Sequence, residues 1–150
     1  MILKCYFSVI LELLYIPDNL GMFIQINKNP LQKNTGDCAI RAVATVLNTT
    51  WDKAYVELCI QGLRQKDLPN ANSVWGSYLQ EHGFKRGILS NTCPECYTIS
   101  DFAYDHPEGT YVVCTGSHVV AVIDGAIYDA WDSSHEIPTY FYVKKGDQNV

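Results

Sequence analysis

The spacing of apolar residues predicts helices in the first part of the chain. Apolar side chains recur at helical intervals over residues 38–47, 51–64 and 73–82. Thr50 is a favourable cap for the second segment, and Gly83 ends the third. The pattern therefore predicts a helical half that ends near Gly83.

The hydrophobic period changes in the second part of the chain. Short segments rich in β-branched and aromatic residues, separated by turn residues, predict strands at 110–115, 118–123, 126–131 and 139–143. Asp124-Gly125 lies between two of them and is typical of a tight two-residue hairpin. Helices followed by an antiparallel sheet indicate an α+β fold.

Composition limits the number of domains and the classes of partner. With 150 residues, of which 47% are hydrophobic, the chain is long enough for one core, and we interpret residues 22–150 as a single domain. The net charge is -5 and only 11 residues are Lys or Arg. Because no basic cluster is present to contact phosphates, we expect no nucleic-acid partner.

Residues 1–21 form an N-terminal extension whose role stays open. Lys4 followed by an apolar run has the outline of a signal peptide, but Glu12 interrupts the run and no small-residue cleavage motif precedes Pro17. The run is too short to span a membrane. We expect a cytoplasmic protein without membrane association, while a signal, a docked strand or helix, and an upstream extension remain alternatives for this segment.

The chain contains six cysteines, an even number that in a small secreted protein would predict disulfides. The apolar content is sufficient for a core without such cross-links, and two of the cysteines lie in helical segments. We therefore expect reduced thiols at all six positions, which are Cys5, Cys38, Cys59, Cys93, Cys96 and Cys114.

Cys38 lies at the first turn of the first predicted helix, directly after turn and capping residues 35–37. The unpaired N–H groups and the dipole at a helix start stabilise a thiolate, so this position favours a reactive thiol. Taken alone, the residue is compatible with three roles: a buried small hydrophobe, a zinc ligand or a nucleophile. A nucleophile also needs a base.

The register of the predicted hairpin indicates His118 as that base. A two-residue turn pairs, counting outward, Ile123 with Ala126, Val120 with Asp129, and His118 with Trp131. His118 and Asp129 then share one face of the sheet, roughly 6 to 8 Å apart at the backbone. Asp132 points to the other face, and only a three-residue turn would select it instead.

Trp131 is expected beside His118 on the same face. There it would either cover the bond between His118 and Asp129 or be one more core aromatic. Gln32 lies six residues before Cys38, and a loop that returns its amide to the helix start would place a donor beside the Cys38 N–H, as in an oxyanion hole.

The order of these residues resembles that of papain-like cysteine peptidases: a Gln, an Asp-Cys pair opening a helix, then a strand-borne His and a strand-borne Asp. In local motif, Gln32 with Asp37-Cys38, and the run 116–120 around His118, resemble the bacteriocin-processing peptidase domain of ABC exporters. The resemblance implies a papain-like fold, in which a helical half with the nucleophile at a helix start packs on a C-terminal antiparallel sheet.

By this resemblance Cys38 is the nucleophile, His118 the base, Asp129 its orienting carboxylate and Gln32 the oxyanion donor. The implied activity is cleavage of a peptide or related amide bond in a peptide or protein substrate, through a thioester and without a cofactor. An acyltransferase or transpeptidase would use the same residues. A bacterial or phage origin would fit this resemblance.

Two other classes of function compete with the enzyme. Cys93 and Cys96 have the C-x-x-C spacing of a zinc knuckle, and Cys114 with His118 would complete a zinc site that claims the histidine. Alternatively, a papain-like domain with an inert Cys38 would act as a binding module.

Overall fold

The computed structural model describes residues 18–90 and 96–146, and these contain four helices. Helix α1 spans Cys38–Val46, α2 spans Trp51–Gln65, α3 spans Asn72–Glu81 and α4 spans Ile99–Asp105. The first three agree with the predicted helices to within one residue at each end. The predicted α+β class is confirmed.

Six strands form one sheet in the described part of the chain. They are β1 (Phe23–Gln25), β2 (Phe84–Ile88), β3 (Thr110–Cys114), β4 (Val119–Ile123), β5 (Ala126–Asp129) and β6 (Tyr140–Lys144). Their order across the sheet is β1-β5-β4-β3-β6-β2. The four predicted strands correspond to β3 to β6, to within two residues at each end.

Helices cover both faces of this sheet. Helices α1, α2 and α3 pack on the face that contains Val112 and Ala121, whereas α4 packs on the face that contains Val113 and Val120. Successive residues of a strand point to opposite faces. Because both faces are buried, β3 and β4 are almost continuously apolar instead of alternating with polar residues.

The β4–β5 hairpin has the predicted register. Asp124 and Gly125 have φ values of 48° and 74°, both in the left-handed region that a type I′ turn requires. Ile123 pairs with Ala126, as expected. The end of β5 therefore lies beside the residue that precedes β4, which is His118.

The sheet is mixed, so the expectation of a purely antiparallel sheet is wrong. Strand β1 pairs in parallel with β5, while the other neighbouring strands pair antiparallel. Three residues are too few for a hydrophobic pattern to be recognised, which explains why β1 was not predicted. Strand β2 lies at the opposite edge, and its sequence, FKRGI, contains two cations and a glycine, so it lacks a strand pattern.

Helix α4 also lies outside the predicted elements, so the order of helices first and sheet afterwards is interrupted. It has only seven residues, and most of its stability comes from packing Ile99 and Phe102 into the core. Thr98 and Asp101 form a capping box at its start. This Thr-x-x-Asp pattern was a readable signal for the helix.

The predictions for residues 1–21 fall largely outside the described residues, which begin at 18. Residues 18–20 form a turn, and the Gly21 N–H donates to the Gly125 carbonyl at 2.7 Å. Within residues 18–90 and 96–146, no helix is long and apolar enough to cross a membrane.

The described cysteines differ in oxidation state. Cys38, Cys59 and Cys114 are free thiols, as expected. Cys96 is disulfide-bonded, so the expectation of a reduced thiol is wrong at this position. Cys5 and Cys93 lie outside the described residues.

Candidate active site

Cys38 is the first residue of α1, and its side chain is partly exposed at the helix start. Asp37 is the N-cap residue, but its side chain makes no capping hydrogen bond. The N–H groups of the first turn therefore have no side-chain cap. They point out of the N-terminal end of α1, where Cys38 lies.

His118 lies directly before β4 and contacts both other members of the predicted trio. Its Nε2 lies 2.5 Å from Oδ2 of Asp129, and its ring lies near enough to the Cys38 sulfur for the two groups to shift each other's pKa. Because Nε2 is engaged with Asp129, Nδ1 is the ring nitrogen left to interact with the sulfur. Thr115 holds the backbone here, since its Oγ1 accepts from the His118 N–H at 3.0 Å.

Electrostatics favour a thiolate–imidazolium pair. Burial by itself raises the pKa of Cys38, but the hydrogen bond and charge of His118 outweigh it, with help from the Val119 N–H and the Arg41 charge. The net pKa of the thiol is below its ordinary value. Burial by itself lowers the pKa of His118, but its bonds to Asp129 and Cys38 raise it to about 9. Both shifts therefore favour the charged forms, a thiolate on Cys38 and an imidazolium on His118.

Asp129 is buried and held by neighbours from its own turn. Its Oδ2 accepts from the Ser133 hydroxyl at 2.6 Å, and its Oδ1 accepts from the Ala130 N–H at 2.7 Å. An Arg41 nitrogen lies 4.0 Å from Oδ1. These contacts fix the carboxylate that orients His118, and the predicted preference for Asp129 over the exposed Asp132 agrees with this geometry.

The carboxylate of Asp37 binds three buried or partly buried donors instead of capping α1. It accepts from Asn29 Nδ2 at 3.1 Å and from Trp51 Nε1 at 2.8 Å, and it forms an ion pair with Arg41. These donors occupy both carboxylate oxygens, so the capping role expected for this side chain is wrong. Arg41 is buried, hence this pair differs from an ordinary surface ion pair.

Trp131 lies against His118, as the register predicted. The two ring centroids are 4.8 Å apart, and the planes are tilted by 34°. Trp131 is 42% exposed, which contradicts the alternative of a core aromatic. Its ring shields the imidazole from solvent on one side.

Gln32 does not reach Cys38. Its amide nitrogen donates to the carbonyls of Asn27 at 3.1 Å and Asn29 at 2.9 Å, which uses both of its N–H groups. Its backbone has a φ of 53°, in the left-handed region, and this turns the side chain back on its own loop. The expected oxyanion role of Gln32 is therefore not supported by the geometry.

A cavity at the Cys38 sulfur contains other donors. Its lining includes Cys38 and His118 together with Asn70, Asn72 and the small residues of 115–117. Asn72 Oδ1 accepts from Trp75 Nε1 at 3.2 Å, which leaves the amide nitrogen of Asn72 as a donor at the cavity. Its position at the start of α3 was visible in the sequence, but nothing there indicated that α3 begins beside Cys38.

The structure does not support the alternative in which His118 is a zinc ligand. His118 is engaged by Asp129, while Cys114 is buried beside Tyr140. A disulfide-bonded Cys96 has no thiolate to offer a metal. Among residues 18–90 and 96–146, no group of three or more metal-binding side chains is assembled, and Cys93 is outside these ranges.

Three residues of the site were not predicted in their observed roles. Ser133 and Trp51 hold carboxylates from distant turns and helices, and no local pattern signals such contacts. Arg41 was recognisable as a partner of Asp37 from its spacing of four residues on a helix, but its proximity to Asp129 was not.

Comparison of the chain with protein-family models, with curated proteins and with solved structures finds no match. The interpretation of the site therefore depends on its geometry and chemistry.

Proposed function

We propose that the protein is a papain-like cysteine hydrolase that cleaves a peptide or related amide bond with Cys38, His118 and Asp129. The observation that carries this proposal is the position of His118, which bonds Asp129 through Nε2 and lies beside Cys38 at the same cavity. A cysteine at a helix start, opposite a strand-borne His–Asp pair, is also the arrangement of papain-like enzymes. Such a thiolate is activated without a metal or a cofactor.

The first half of the reaction forms a thioester. The Cys38 thiolate attacks the carbonyl carbon, a C–S bond forms, and the carbonyl electron pair moves to oxygen. When this oxyanion collapses, the C–N bond breaks and His118 Nδ1 gives its proton to the leaving nitrogen. The acyl group is then held on Cys38, and the amine departs.

The second half regenerates the enzyme. A water molecule gives a proton to His118 and attacks the thioester carbon, after which the C–S bond breaks. The products are a carboxylic acid and the Cys38 thiolate paired again with the His118 imidazolium. Asp129 holds the ring in one orientation through both steps.

The oxyanion needs donors near the sulfur, and the first turn of α1 has them. The backbone N–H of Cys38 is one donor, and we assign the amide of Asn72 as the second in place of Gln32. Removal of one such donor typically lowers kcat about 100-fold or more.

The test is a thioester trap on the intact protein. The protein is incubated with a library of N-acetylated peptides, and cleavage and acylation are followed by mass spectrometry. We expect cleavage and a transient acyl adduct on Cys38, both lost in Cys38→Ala. Cys59→Ala is the matched control because Cys59 is a free, partly exposed thiol on α2, and it should behave like the wild type.

Alkylation provides a readout that needs no substrate. At pH 6, iodoacetamide should modify Cys38 faster than Cys59, because His118 lies beside Cys38 and lowers the pKa of its thiol. Equal alkylation rates for the two thiols, or cleavage that persists in Cys38→Ala, would contradict the proposed function.

A further inference from the structure

A second cavity lies beside the candidate active site and is separate from the one in front of Cys38. Its lining comprises Lys33, Arg41, Trp131 and a set of side-chain amides that includes Gln25, Asn27 and Asn34. The cavity volume is about 560 Å³. Among residues 18–90 and 96–146, no acidic residue lines it, although the whole chain has a net charge of -5. The cavity is therefore a locally cationic surface on an anionic protein.

The charges of the two cations are balanced differently. Arg41 is 8% exposed, and its guanidinium pairs with Asp37 and approaches Asp129. Its Nε is buried and has no hydrogen-bond partner among the described residues. Lys33 is exposed and forms no ion pair within residues 18–90 and 96–146. Lys33 is thus the uncompensated positive charge at the cavity.

Trp131 lies between this cavity and the proposed catalytic base, His118. Its ring contacts the imidazole of His118, and the same side chain lines the cavity. In the proposed reaction His118 gives its proton to the leaving nitrogen, so that nitrogen must come within hydrogen-bond distance of the ring. A leaving group that continues past Trp131 enters the cationic cavity, while the acyl group stays at the sulfur.

The two cavities differ in the chemistry that they offer. In the described part of the chain, the one at Cys38 has no charged side chain in its lining other than the Cys38–His118 pair, and it suits an uncharged acyl group. The second has amide donors and cations, which are suited to a carboxylate. We propose that the second cavity is the leaving-group subsite and takes an amine that carries a carboxylate near the scissile bond. This inference rests on the proposed function.

The carboxylate has two possible sources, a free chain terminus or an acidic side chain. Three small amines separate them: glycylalanine has a terminal carboxylate, glycylaspartic acid α-amide has a side-chain carboxylate, and glycylalaninamide has none. Each is titrated into the full-length Cys38→Ala protein, which retains the cavity without the nucleophile. Binding is followed through the indole N–H resonance of Trp131, assigned with Trp131→Phe.

We expect at least one carboxylate probe to shift this resonance and to bind about tenfold more tightly than glycylalaninamide. Lys33→Glu should weaken the binding of that probe about tenfold, and added salt should weaken it in the unsubstituted Cys38→Ala protein. Lys85→Glu is the matched control because Lys85 is an exposed lysine on edge strand β2, and it should change binding less than about twofold. The probe that binds identifies the source of the carboxylate.

Equal binding of the three probes, no binding of either carboxylate probe, or equal effects of the two lysine substitutions would overturn the subsite. This result is independent of catalysis. If the thioester trap fails but Trp131 responds to carboxylates, the cavity is a binding site and the hydrolase is wrong. If peptides are cleaved with Cys38 but the probes do not bind, the hydrolase stands without this subsite.

Discussion

Cys38 and Cys114 are free thiols of one core region with opposite properties. Cys114 pairs with Val119 across β3 and β4, and the Val119 N–H helps to lower the pKa of Cys38. Burial raises the pKa of Cys114 to about 12, although Tyr140 and Arg86 oppose this rise. The pKa of Cys38 is lowered despite its own burial. Burial thus suppresses a thiolate, and at Cys38 the adjacent His118 makes the largest contribution to reversing this effect.

Replacement of His118 should produce the largest change in the difference in reactivity between Cys38 and Cys114. In His118→Ala the sulfur of Cys38 loses the partner that lowers its pKa, so its thiolate fraction at pH 6 should fall and alkylation by iodoacetamide should slow about 100-fold. Cys114 should stay unmodified in both proteins, because it is 1% exposed. His135→Ala, at an exposed histidine, is the control. An unchanged alkylation rate in His118→Ala would show that the reactivity of Cys38 does not depend on His118.

Asp129→Asn should weaken the imidazolium while it keeps the shape of the site. Without the carboxylate charge, the pKa of His118 falls from about 9 toward its ordinary value, so less imidazolium is present at pH 8. Hydrolysis measured at pH 8 should fall about tenfold, and the alkaline limb of its pH profile should move to lower pH. Asp132→Asn, at an exposed neighbour, should leave the alkaline limb of the pH profile unchanged. Identical limbs in wild type and Asp129→Asn would exclude this orienting role.

The pH dependence of the wild type should distinguish two functions of His118. Its imidazolium is present below about pH 9 and is lost above it, so the leaving nitrogen receives its proton less readily at high pH. Hydrolysis at pH 9.5 should be about fourfold slower than at pH 8. Alkylation of Cys38 should not decline over this range, because the thiolate persists when its partner loses the proton. A parallel decline of both rates would indicate unfolding or another titrating group.

Cys114→Ala should have the smallest effect on reactivity. Alkylation of Cys38 should change less than about twofold, because the charge of a thiol with a raised pKa is absent at neutral pH. The lost sulfur leaves a small cavity in the core, so the free energy of unfolding should fall by about 1 kcal/mol, measured by urea denaturation. A large change in Cys38 reactivity would mean that the two thiols are coupled.

The parts of the fold that were predictable are those encoded by local patterns. The helix that opens at Cys38 and the Asp124-Gly125 hairpin each depend on a few adjacent residues. The hairpin register then placed His118 and Asp129 on one face, because side chains alternate along a strand. Strand β1 and helix α4 were missed because both are short and are stabilised by distant contacts.

The direction of loop side chains was not predictable. Gln32 precedes Cys38 at a suitable distance in sequence, yet its amide binds two carbonyls of its own loop. Asp37 lies at the N-cap position of a helix, yet its carboxylate accepts a hydrogen bond from Trp51 and pairs with Arg41. In each case several donors and acceptors compete within a few ångströms, and the sequence does not show which ones are near.

By itself the sequence determined an α+β chain with a cysteine at a helix start and a histidine and an aspartate across one hairpin, because hydrophobic period and turn chemistry are local. Only the tertiary structure decided that the helix start faces the hairpin, that Ser133 and Arg41 surround Asp129, and that Gln32 turns away. The physical reason is that contacts between distant segments depend on how α1 packs on β4, and the pKa values of Cys38 and His118 follow from those contacts.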